Sequence, residues 1–369
     1  MIIITTQCFA PKIGGIESLM TGMADAMCKT GKDVLVLADG QKTLSDKNKQ
    51  YKIKRFSGWK PLRRRRKANY LKEFIANNNV ETIYADSWKS VEYLNQLNAK
   101  IIVLAHGTEI PKKYFDKFYT NLNIKKMRII KSYLNCNRIV ANSAYTRDLM
   151  IASLKISFDK IKIIHPGIDV YEDFINKKDR ENVENIVNNA YPIVTTLARV
   201  EKRKGHKFVI KAVSKLKYKF PKMLYLIAGK GPYLEQVKKY VRKLNLEKNI
   251  MFLGWITEPE KSLVLKNSDV FIMTPIKVGE SVEGFGMAFI DAAFHGVASI
   301  GTKSGGISDA IIHMETGLLC DEGNQEDITQ NIERLLSNKD LRLELGKNGR
   351  IMARNKYSWN SKVFEYLNL

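Results

Sequence analysis

The sequence predicts an α/β protein built from two doubly wound parallel-sheet domains. The chain has 369 residues, too many for one compact α/β core and suited to two domains of about 180 residues each. Short apolar strands alternate with helical stretches in the first half, and the same alternation begins again at residue 193. Such alternation predicts parallel strands with helices on both faces of each sheet.

The first half contains five predicted strands, and helical stretches separate them. The first strand ends at a loop containing Gly14-Gly15, and apolar residues from Ile16 to Met27 then recur at helical spacing. The predicted strands are Ile2–Thr5, Val34–Leu37, Thr82–Ala85, Ile101–Leu104 and Arg138–Ala141.

The second half contains five more predicted strands. They are Ile193–Leu197, Leu224–Ala228, Ile250–Leu253, Val270–Met273 and Val297–Ile300. His165–Asp169 and the polar stretch through Asn189 are typical of a connection between domains. We therefore place one domain at 1–168 and the other at 169–355.

The composition is that of a folded cytoplasmic protein, with 44% hydrophobic and 27% charged residues. The four cysteines are scattered, which favours reduced thiols over a disulfide framework or a zinc site. No basic segment precedes the apolar start of the chain, and the apolar runs are too short to span a bilayer. We expect a protein that is made and kept in the cytoplasm.

The net charge of +23 is concentrated in the first half of the chain. Residues 1–167 hold 30 Lys and Arg against 13 Asp and Glu, whereas the remainder holds 31 against 25. The excess is greatest at Arg63, Arg64, Arg65, Arg66 and Lys67. A basic surface of this kind attracts the phosphates of nucleic acid or of anionic lipid, although a solvated helix or loop face is the plain alternative.

Two loops that follow strands have residues suited to a phosphorylated ligand. Gly14-Gly15 precedes a helix, where glycines permit close backbone approach and the helix N-terminus offers N–H groups. This loop lacks the third glycine of the dinucleotide fingerprint, so a nicotinamide enzyme is not supported. Arg199 and Lys204 bracket the loop after Leu197 and can both reach one pyrophosphate. Lys202 and Arg203, between them, are interpreted as an exposed basic loop.

A third segment, 280–309, is the most informative. Glu283 and Asp291 lie eight positions apart, and Gly284 and Gly286 open a helix predicted over Phe285–Ala293. Carboxylates accept hydrogen bonds from vicinal hydroxyls, and the start of the helix supplies backbone N–H groups for sugar or phosphate oxygens. A carboxylate after a strand is also a common helix cap, so the glycines and the spacing are needed for the functional interpretation.

Several motifs together resemble a known family. They are Pro-x-x-Gly-Gly-x-Glu after the first strand, Ala105-His106-Gly107, Asn142-Ser143-Ala144-Tyr145-Thr146, Pro166-Gly167-Ile168-Asp169, Arg199 to Lys204, Glu-Gly-Phe-Gly from Glu283 with seven residues before Asp291, Ser304-Gly305-Gly306, and Tyr357-Ser358-Trp359. In this order they resemble family 4 of the retaining glycosyltransferases, which have the GT-B fold, two Rossmann-like domains facing a central cleft. In that family the last helix, here 356–369, rejoins the N-terminal domain.

The resemblance implies a role for each candidate residue. Arg199 and Lys204 would hold the donor diphosphate with help from the backbone at Gly14 and Gly15. Glu283 would contact the donor sugar together with the backbone at Gly284, Phe285, Gly286 and Met287. Asp291 stands where the family usually has a second Glu that binds the ribose, and His106 would orient the sugar. Glu258 and Asp269 are left as structural residues. The catalytic set is therefore His106, Glu283, Arg199 and Lys204.

The expected reaction transfers a sugar from a UDP- or GDP-sugar with retention of configuration. The cationic side chains can take the place of a metal, and the sequence has no Asp-x-Asp motif, so no metal or other cofactor is expected. Trp59 beside the run Arg63–Lys67 suggests peripheral contact with an anionic membrane, at the cytoplasmic face of the inner membrane, where a glycolipid, a lipid-linked sugar or an envelope polysaccharide would be the acceptor. The alternatives are a sugar-nucleotide epimerase of the same fold and a basic nucleic-acid-binding protein, which is disfavoured because aromatics are not interleaved with the basic residues.

Overall fold

A computed structural model describes residues 1–94, 97–111, 120–169, 177–187 and 190–369. The chain divides into two compact units. The first unit comprises Met1–Ile168 and Ser358–Leu369, and the second comprises Asp169–Tyr357. Of the polar stretch expected to join the domains, 170–176 and 188–189 lie outside the described residues.

The described residues of the first unit form a seven-stranded parallel sheet with the order β3-β2-β1-β4-β5-β6-β7. Its central strands are buried along their whole length, as expected for strands covered by helices on both faces. The strands are β1 (Ile2–Thr6), β2 (Val34–Asp39), β3 (Lys52–Phe56), β4 (Thr82–Ala85), β5 (Lys100–Ala105), β6 (Arg138–Ala141) and β7 (Ile161–Ile163).

In the described part of the first unit, five α-helices lie between these strands. α1 begins directly at Gly15, and its apolar residues Leu19, Met20, Met23 and Met27 are buried against the sheet, as their spacing predicts. The helices are α1 (Gly15–Lys29), α2 (Lys60–Asn77), α3 (Trp88–Val91), α4 (Thr120–Leu134) and α5 (Ala144–Leu154).

In the second unit, the described residues form a six-stranded parallel sheet with the order β10-β9-β8-β11-β12-β13. The order is that of a doubly wound nucleotide-binding sheet: β9 and β10 are added on one side of β8, and β11, β12 and β13 are added on the other. The strands are β8 (Ile193–Leu197), β9 (Leu224–Ala228), β10 (Ile250–Gly254), β11 (Val270–Ile272), β12 (Ala298–Thr302) and β13 (Gly317–Cys320).

The helices of the second unit cover both faces of this sheet, and its largest buried apolar cluster extends from Val194 to Leu345. The helices are α6 (Lys177–Val187), α7 (His206–Leu216), α8 (Leu234–Lys243), α9 (Glu258–Lys266), α10 (Met287–Phe294), α11 (Ile307–Ala310), α12 (Gln325–Ser337) and α13 (Lys339–Tyr357). α6 lies within the polar stretch that was interpreted as a connection.

The last helix, α14 (Trp359–Leu367), packs on α1 of the first unit. Trp359 is buried in the apolar cluster of that unit and contacts the backbone at Gly22 and Gly167, where a Cβ would overlap the indole ring. Tyr84 donates a hydrogen bond to the carbonyl of Tyr366 at 2.7 Å. Among the described residues no helix combines the length and the apolar character needed to cross a membrane.

Candidate functional site

The strand order places two loops of the second unit at the position where doubly wound sheets bind ligands. That position lies at the carboxyl ends of neighbouring strands whose connections leave in opposite directions. β8 and β11 are such neighbours. The segment Arg199–Gly205 follows β8, and the segment that ends at Gly286 follows β11. Two of the three segments singled out in the sequence therefore meet at one edge of one sheet.

Glu283 is the centre of this site because two cations converge on its carboxylate. Oε2 of Glu283 accepts from Nζ of Lys204 at 2.6 Å and from Nη1 of Arg203 at 2.8 Å. Burial alone would raise the pKa of Glu283, but Lys204 and Arg203 hold it below its ordinary value. The structure thus brings Lys204 and Glu283 together, and it fixes Glu283 as a carboxylate.

Arg199 lies at the outer end of the same charge network. Its side chain is 71% exposed, against 10% for Lys204, and it pairs with Glu201 at 2.9 Å. Glu201 also pairs with Arg203 at 2.9 Å. Positive and negative side chains therefore alternate along one series of contacts that runs from Arg199 to Lys204. The interpretation of the basic loop holds for Lys202, which is exposed, and is wrong for Arg203, which is engaged by two carboxylates.

Glycines determine how closely these loops pack. Gly205 has φ +75°, and a Cβ on it would overlap the carbonyl oxygen of Thr274, which follows β11. Gly305 has φ +62°, and a Cβ there would overlap the carbonyl oxygen of Glu283. The N–H of Gly306 donates to that same carbonyl at 3.0 Å. The loop after β8, the loop after β11 and the loop containing Gly305 are therefore held together through backbone contacts that side chains on these glycines would prevent.

The helix after Glu283 begins later than the sequence predicted. α10 begins at Met287 rather than at Phe285, because Gly286 has φ +96° and cannot continue a right-handed helix backwards. Gly284 and Phe285 are buried, and the ring of Phe285 packs on Tyr357 with centroids 5.7 Å apart. The backbone from Gly284 to Met287 thus forms the turn that leads from Glu283 into α10.

Asp291, on α10, is paired with a lysine that sequence reasoning had not considered. Its Oδ1 accepts from Nζ of Lys261 at 3.0 Å, and Lys261 also pairs with Glu258 at 2.5 Å. Burial alone would lower the pKa of Lys261, but Asp291 and Glu258 hold it above its ordinary value. Glu258 therefore shares a partner with a candidate donor residue. Asp269 pairs with Arg342 at 3.1 Å and accepts from the N–H of Ile193, which are contacts within the framework of the sheet.

In the first unit, His106 follows β5 and is held by its own hydrogen bonds. Its Nε2 lies 2.8 Å from the carbonyl oxygen of Asp86. Because a carbonyl only accepts, Nε2 is the donor in this contact. The N–H of His106 donates to Glu109 at 2.7 Å. The Asp86 carboxylate accepts from Thr6 Oγ1 and from the N–H of Gln7, so it links the ends of β1 and β4.

Gly14 and Gly15 lie at the start of α1, also in the first unit. The Glu17 carboxylate lies over Gly14, at the position that a Cβ of residue 14 would occupy. No sequence pattern predicts this contact, because Glu17 is an ordinary first-turn acid of a helix. Gly14, Gly15 and His106 belong to the first unit, and Arg199, Lys204, Glu283 and Asp291 belong to the second.

The basic run is helical, and it is only partly a surface. Lys67 is 2% exposed and donates to Asp39 Oδ1 at 3.0 Å and to the carbonyl of Thr6 at 2.8 Å. Assigning Lys67 to a membrane surface is therefore wrong, since its ammonium lies inside the fold. Arg63 is likewise bound to Asp39, at 2.8 Å.

The remaining arginines of the basic run are also partly covered and partly exposed. Arg64 is largely covered and pairs with Glu92 at 3.4 Å, whereas Arg65 and Arg66 are exposed. Trp59 immediately precedes α2 and is exposed. The accessible part of the predicted surface thus consists of Trp59, Arg65 and Arg66, with Arg63 and Arg64 at its margin.

Comparison with solved structures shows the class of fold. The chain is similar over its whole length to Anabaena HepE in complex with UDP and glucose, with a TM-score of 0.79, 17% identity and 99% of that chain covered. It is also similar to sucrose-phosphate synthase from Thermosynechococcus elongatus, with a TM-score of 0.80, 17% identity, and coverage of 100% of this chain and 97% of that one. The fold is that of the GT-B glycosyltransferases, as the sequence predicted.

Family models identify the lineage. Residues 13–172 match the model for glycosyltransferase family 4, and residues 177–352 match the model for glycosyl transferases group 1. A GDP-mannose-dependent α-(1-6)-phosphatidylinositol monomannoside mannosyltransferase of Mycolicibacterium smegmatis is 23% identical over 98% of this chain and 96% of its own length. The chain belongs to glycosyltransferase family 4.

Proposed function

We propose that this glycosyltransferase moves a sugar from a UDP- or GDP-sugar to a hydroxyl of a membrane-surface acceptor, with retention of configuration and without a metal. The observation that carries the proposal is the convergence of Lys204 and Arg203 on Glu283 at the switch point of the second sheet. A buried carboxylate with two cations beside it offers acceptors to sugar hydroxyls and positive charge to phosphates within one loop cluster.

The reaction needs charge stabilisation where the leaving group departs. The bond between the sugar C1 and the diphosphate oxygen breaks, and a bond from the acceptor oxygen to C1 forms on the same face. The acceptor proton passes to the departing phosphate oxygen. Negative charge grows on the diphosphate during this step, and in this proposal Lys204 and Arg199 would stabilise it as a metal ion would elsewhere. Glu283 holds the sugar in position.

His106 and Asp291 complete the donor contacts in this proposal. In the neutral imidazole, Nδ1 of His106 would accept a hydrogen bond from a hydroxyl of the transferred sugar, since Nε2 donates to the carbonyl of Asp86. Asp291 would accept from the ribose diol, and for this the diol must share or displace Lys261. The Gly14-Gly15 backbone would donate to the diphosphate.

The identity of the nucleotide is the part that the relatives leave open. The mycobacterial relative is named for GDP-mannose, whereas HepE was crystallised with UDP and glucose. The proposal therefore covers both bases, and the first experiment must separate them.

The acceptor is proposed to lie at a membrane, because exposed Trp59, Arg65 and Arg66 are grouped at the start of α2. Arg side chains bind lipid phosphates, and an interfacial Trp anchors at the headgroup level. The mycobacterial relative is named for a phosphatidylinositol mannoside, which is a lipid. We place the enzyme peripherally on the cytoplasmic face of the inner membrane.

The test is a thermal-shift screen with UDP, GDP, ADP and their common sugar conjugates in metal-free buffer containing a chelator. A ligand that binds the native state raises the melting temperature by mass action. We expect one uridine or guanosine nucleotide to give a clear shift. Lys204→Ala and Arg199→Ala should weaken that shift, and Lys202→Ala, an exposed lysine of the same loop, is the matched control.

Each outcome of the screen bears on a separate part of the proposal. No shift with any nucleotide, or equal loss in the Lys202→Ala control, would overturn the donor site. Shifts that appear only with added divalent metal would contradict a metal-free donor complex. Incubation of the responding donor without acceptor tests the other enzyme class, since formation of its epimer would show an epimerase. With an acceptor, the anomeric configuration of the product, read by NMR coupling constants, decides between retention and inversion.

A further inference from the structure

The outer face of α4 has an unusual composition for a solvated helix. Ile124 and Met127 are 58% and 65% exposed, and Leu134 is exposed on the same side, where helical spacing places positions three, four and seven apart. Ile129 and Tyr133, on the opposite side, are fully buried in the apolar cluster of the first unit. The helix therefore has an inner apolar face that packs and a second apolar stripe that does not.

Basic residues flank this stripe, and α4 contains no acid. Its sequence from Thr120 to Leu134 includes Lys125, Lys126, Arg128 and Lys131 and no Asp or Glu. Large apolar side chains between lysines, on a helix attached to a folded core, are the pattern of a helix that lies in the interface of an anionic bilayer. A protein partner of opposite charge would be matched by the lysines but would leave the apolar stripe unexplained.

Glu92 joins α4 to α2, and this contact makes the two helices one surface. The Glu92 carboxylate is almost fully covered, and it pairs with Arg64 of α2 at 3.4 Å and with Arg128 of α4 through a short contact. Arg65 lies over the ring of Tyr93, with the guanidinium carbon 5.5 Å from the centroid. A bound Glu92 thus fixes the spacing of two basic helices that would otherwise repel each other.

The charges of these helices act on one another. Burial lowers the pKa of Lys89, on α3 between the two helices, and the nearby cations Arg64 and Lys125 lower it further. The same positive field extends over the outer sides of α2 and α4 and would attract anionic headgroups.

We propose that α2 and α4 together form a membrane-docking surface, in which Ile124, Met127 and Leu134 enter the headgroup region of an anionic bilayer. Trp59 would anchor the α2 side, and Arg65, Arg66, Lys125 and Lys131 would bind lipid phosphates. This inference rests on the proposed membrane-surface acceptor and extends it, since it assigns the main apolar contact to α4. Peripheral attachment through two signals, apolar insertion and basic charge, is firmer than through either alone.

The test is flotation of the full chain with vesicles of phosphatidylcholine mixed with phosphatidylglycerol, compared with pure phosphatidylcholine. The variant is I124S/M127S. The matched control is L343S/I351S, which removes two apolar side chains of α13 in the second unit that are 56% and 51% exposed. We expect the partition coefficient of I124S/M127S to fall roughly tenfold from the loss of inserted apolar area, and that of the control to stay unchanged. Moderate salt should weaken binding of all forms through the basic residues.

Three results would overturn the inference. The first is equal flotation of I124S/M127S and the wild type, and the second is wild-type binding that does not depend on phosphatidylglycerol. The third is a loss of self-association in I124S/M127S by light scattering, which would show that a second copy covers the stripe. The nucleotide thermal shift, measured on every variant, separates this failure from that of the proposed function. It should stay as in the wild type, because Ile124 and Met127 are exposed on α4 and none of the proposed donor residues lies on that helix.

Discussion

The Glu283 cluster leads to a prediction about how two cations share one carboxylate. Arg203→Met and Lys204→Met each remove one positive charge and keep most of the side-chain volume. Either single variant leaves Glu283 with the other cation, at 2.8 or 2.6 Å. The double variant leaves a largely buried carboxylate with neither of these partners.

The magnitudes follow from that difference. A hydrogen bond to a charged group contributes about 1.5–3 kcal/mol, and the remaining cation can recover part of it, so each single variant should lose about 1–2 kcal/mol of unfolding free energy. A buried charge stripped of its partners costs about 3–5 kcal/mol, so the double variant should lose more than the two single losses added together. The coupling between the sites should therefore be about 1 kcal/mol or more.

The assay is urea-dependent hydrogen exchange read by mass spectrometry in peptides of the second unit, which keeps the first unit out of the measurement. Lys202→Met is the matched control and should leave the unfolding free energy within about 0.5 kcal/mol of the wild type, since surface substitutions rarely do more. Strict additivity of the two single variants would refute the reasoning, because it would mean that the cations do not act on the same carboxylate.

The pH dependence gives an independent check on the same cluster. The pKa of Glu283 in the folded state lies below its ordinary value of 4.5. The stabilisation it provides is therefore present above pH 4.5 and is lost as the pH falls through the folded-state value. The difference in unfolding free energy between wild type and double variant should shrink over that acid range. A difference that stays constant as the pH falls would contradict the assignment of the lowered pKa to these two cations.

Three further predictions concern buried groups outside this cluster. Burial lowers the pKa of His206 to about 4, so between pH 6.5 and pH 4 the unfolded chain binds more protons than the folded chain. The unfolding free energy of the wild type should therefore fall by roughly 2–3 kcal/mol on acidification across this range. His206→Gln should reduce this pH dependence, as measured by urea titrations at several pH values. Trp359→Ala should cost about 3–5 kcal/mol in the first unit, because it empties the space between α14 and α1, and hydrogen exchange in α14 peptides should rise. Lys67→Met should lower the unfolding free energy by about 2–3 kcal/mol, since Asp39 loses one of its two cations and keeps Arg63. Its flotation with anionic vesicles should stay as in the wild type. R65Q/R66Q should instead reduce flotation and leave the unfolding free energy unchanged.

The framework of both sheets was predictable because the central strands are continuous apolar runs. All ten predicted strands are present, and four of them have the predicted bounds. Within the described parts of the chain, the strands that were not predicted are β3, β7 and β13. β3 carries lysines at alternate positions and β7 carries one lysine between two isoleucines, as edge strands can, since one face of such a strand meets solvent. β13 is four residues long and begins with glycine, so its apolar run is too short to recognise.

The site was predictable only as far as its motifs, because pairing depends on residues distant in the chain. The loop residues Arg199 and Lys204 and the acid Glu283 could be singled out by position after strands. The pairing of Arg203, rather than Arg199, with Glu283 could not be predicted from position. A short helical turn over Lys202–Lys204 decides which side chains of this loop point inward. Lys261 is 30 residues from Asp291, and no local pattern joins the two.

The net positive charge also could not be assigned to a surface from the sequence, because some of the cations are buried in ion pairs and others are exposed to solvent. Lys67, Lys204 and Lys261 are counted in the net charge, yet each is bound to a carboxylate inside the fold. Buried pairs are screened little by salt, whereas exposed cations on α2 and α4 act through solvent and lose their reach at about 10 Å in 0.1 M salt. If the proposed membrane contact exists, salt should therefore weaken it while leaving the buried ion pairs of Lys67, Lys204 and Lys261 intact. The charge that a count of Lys and Arg assigns to one surface therefore belongs to two separate sets of side chains: buried cations that are paired with carboxylates, and exposed cations on α2 and α4 that face solvent.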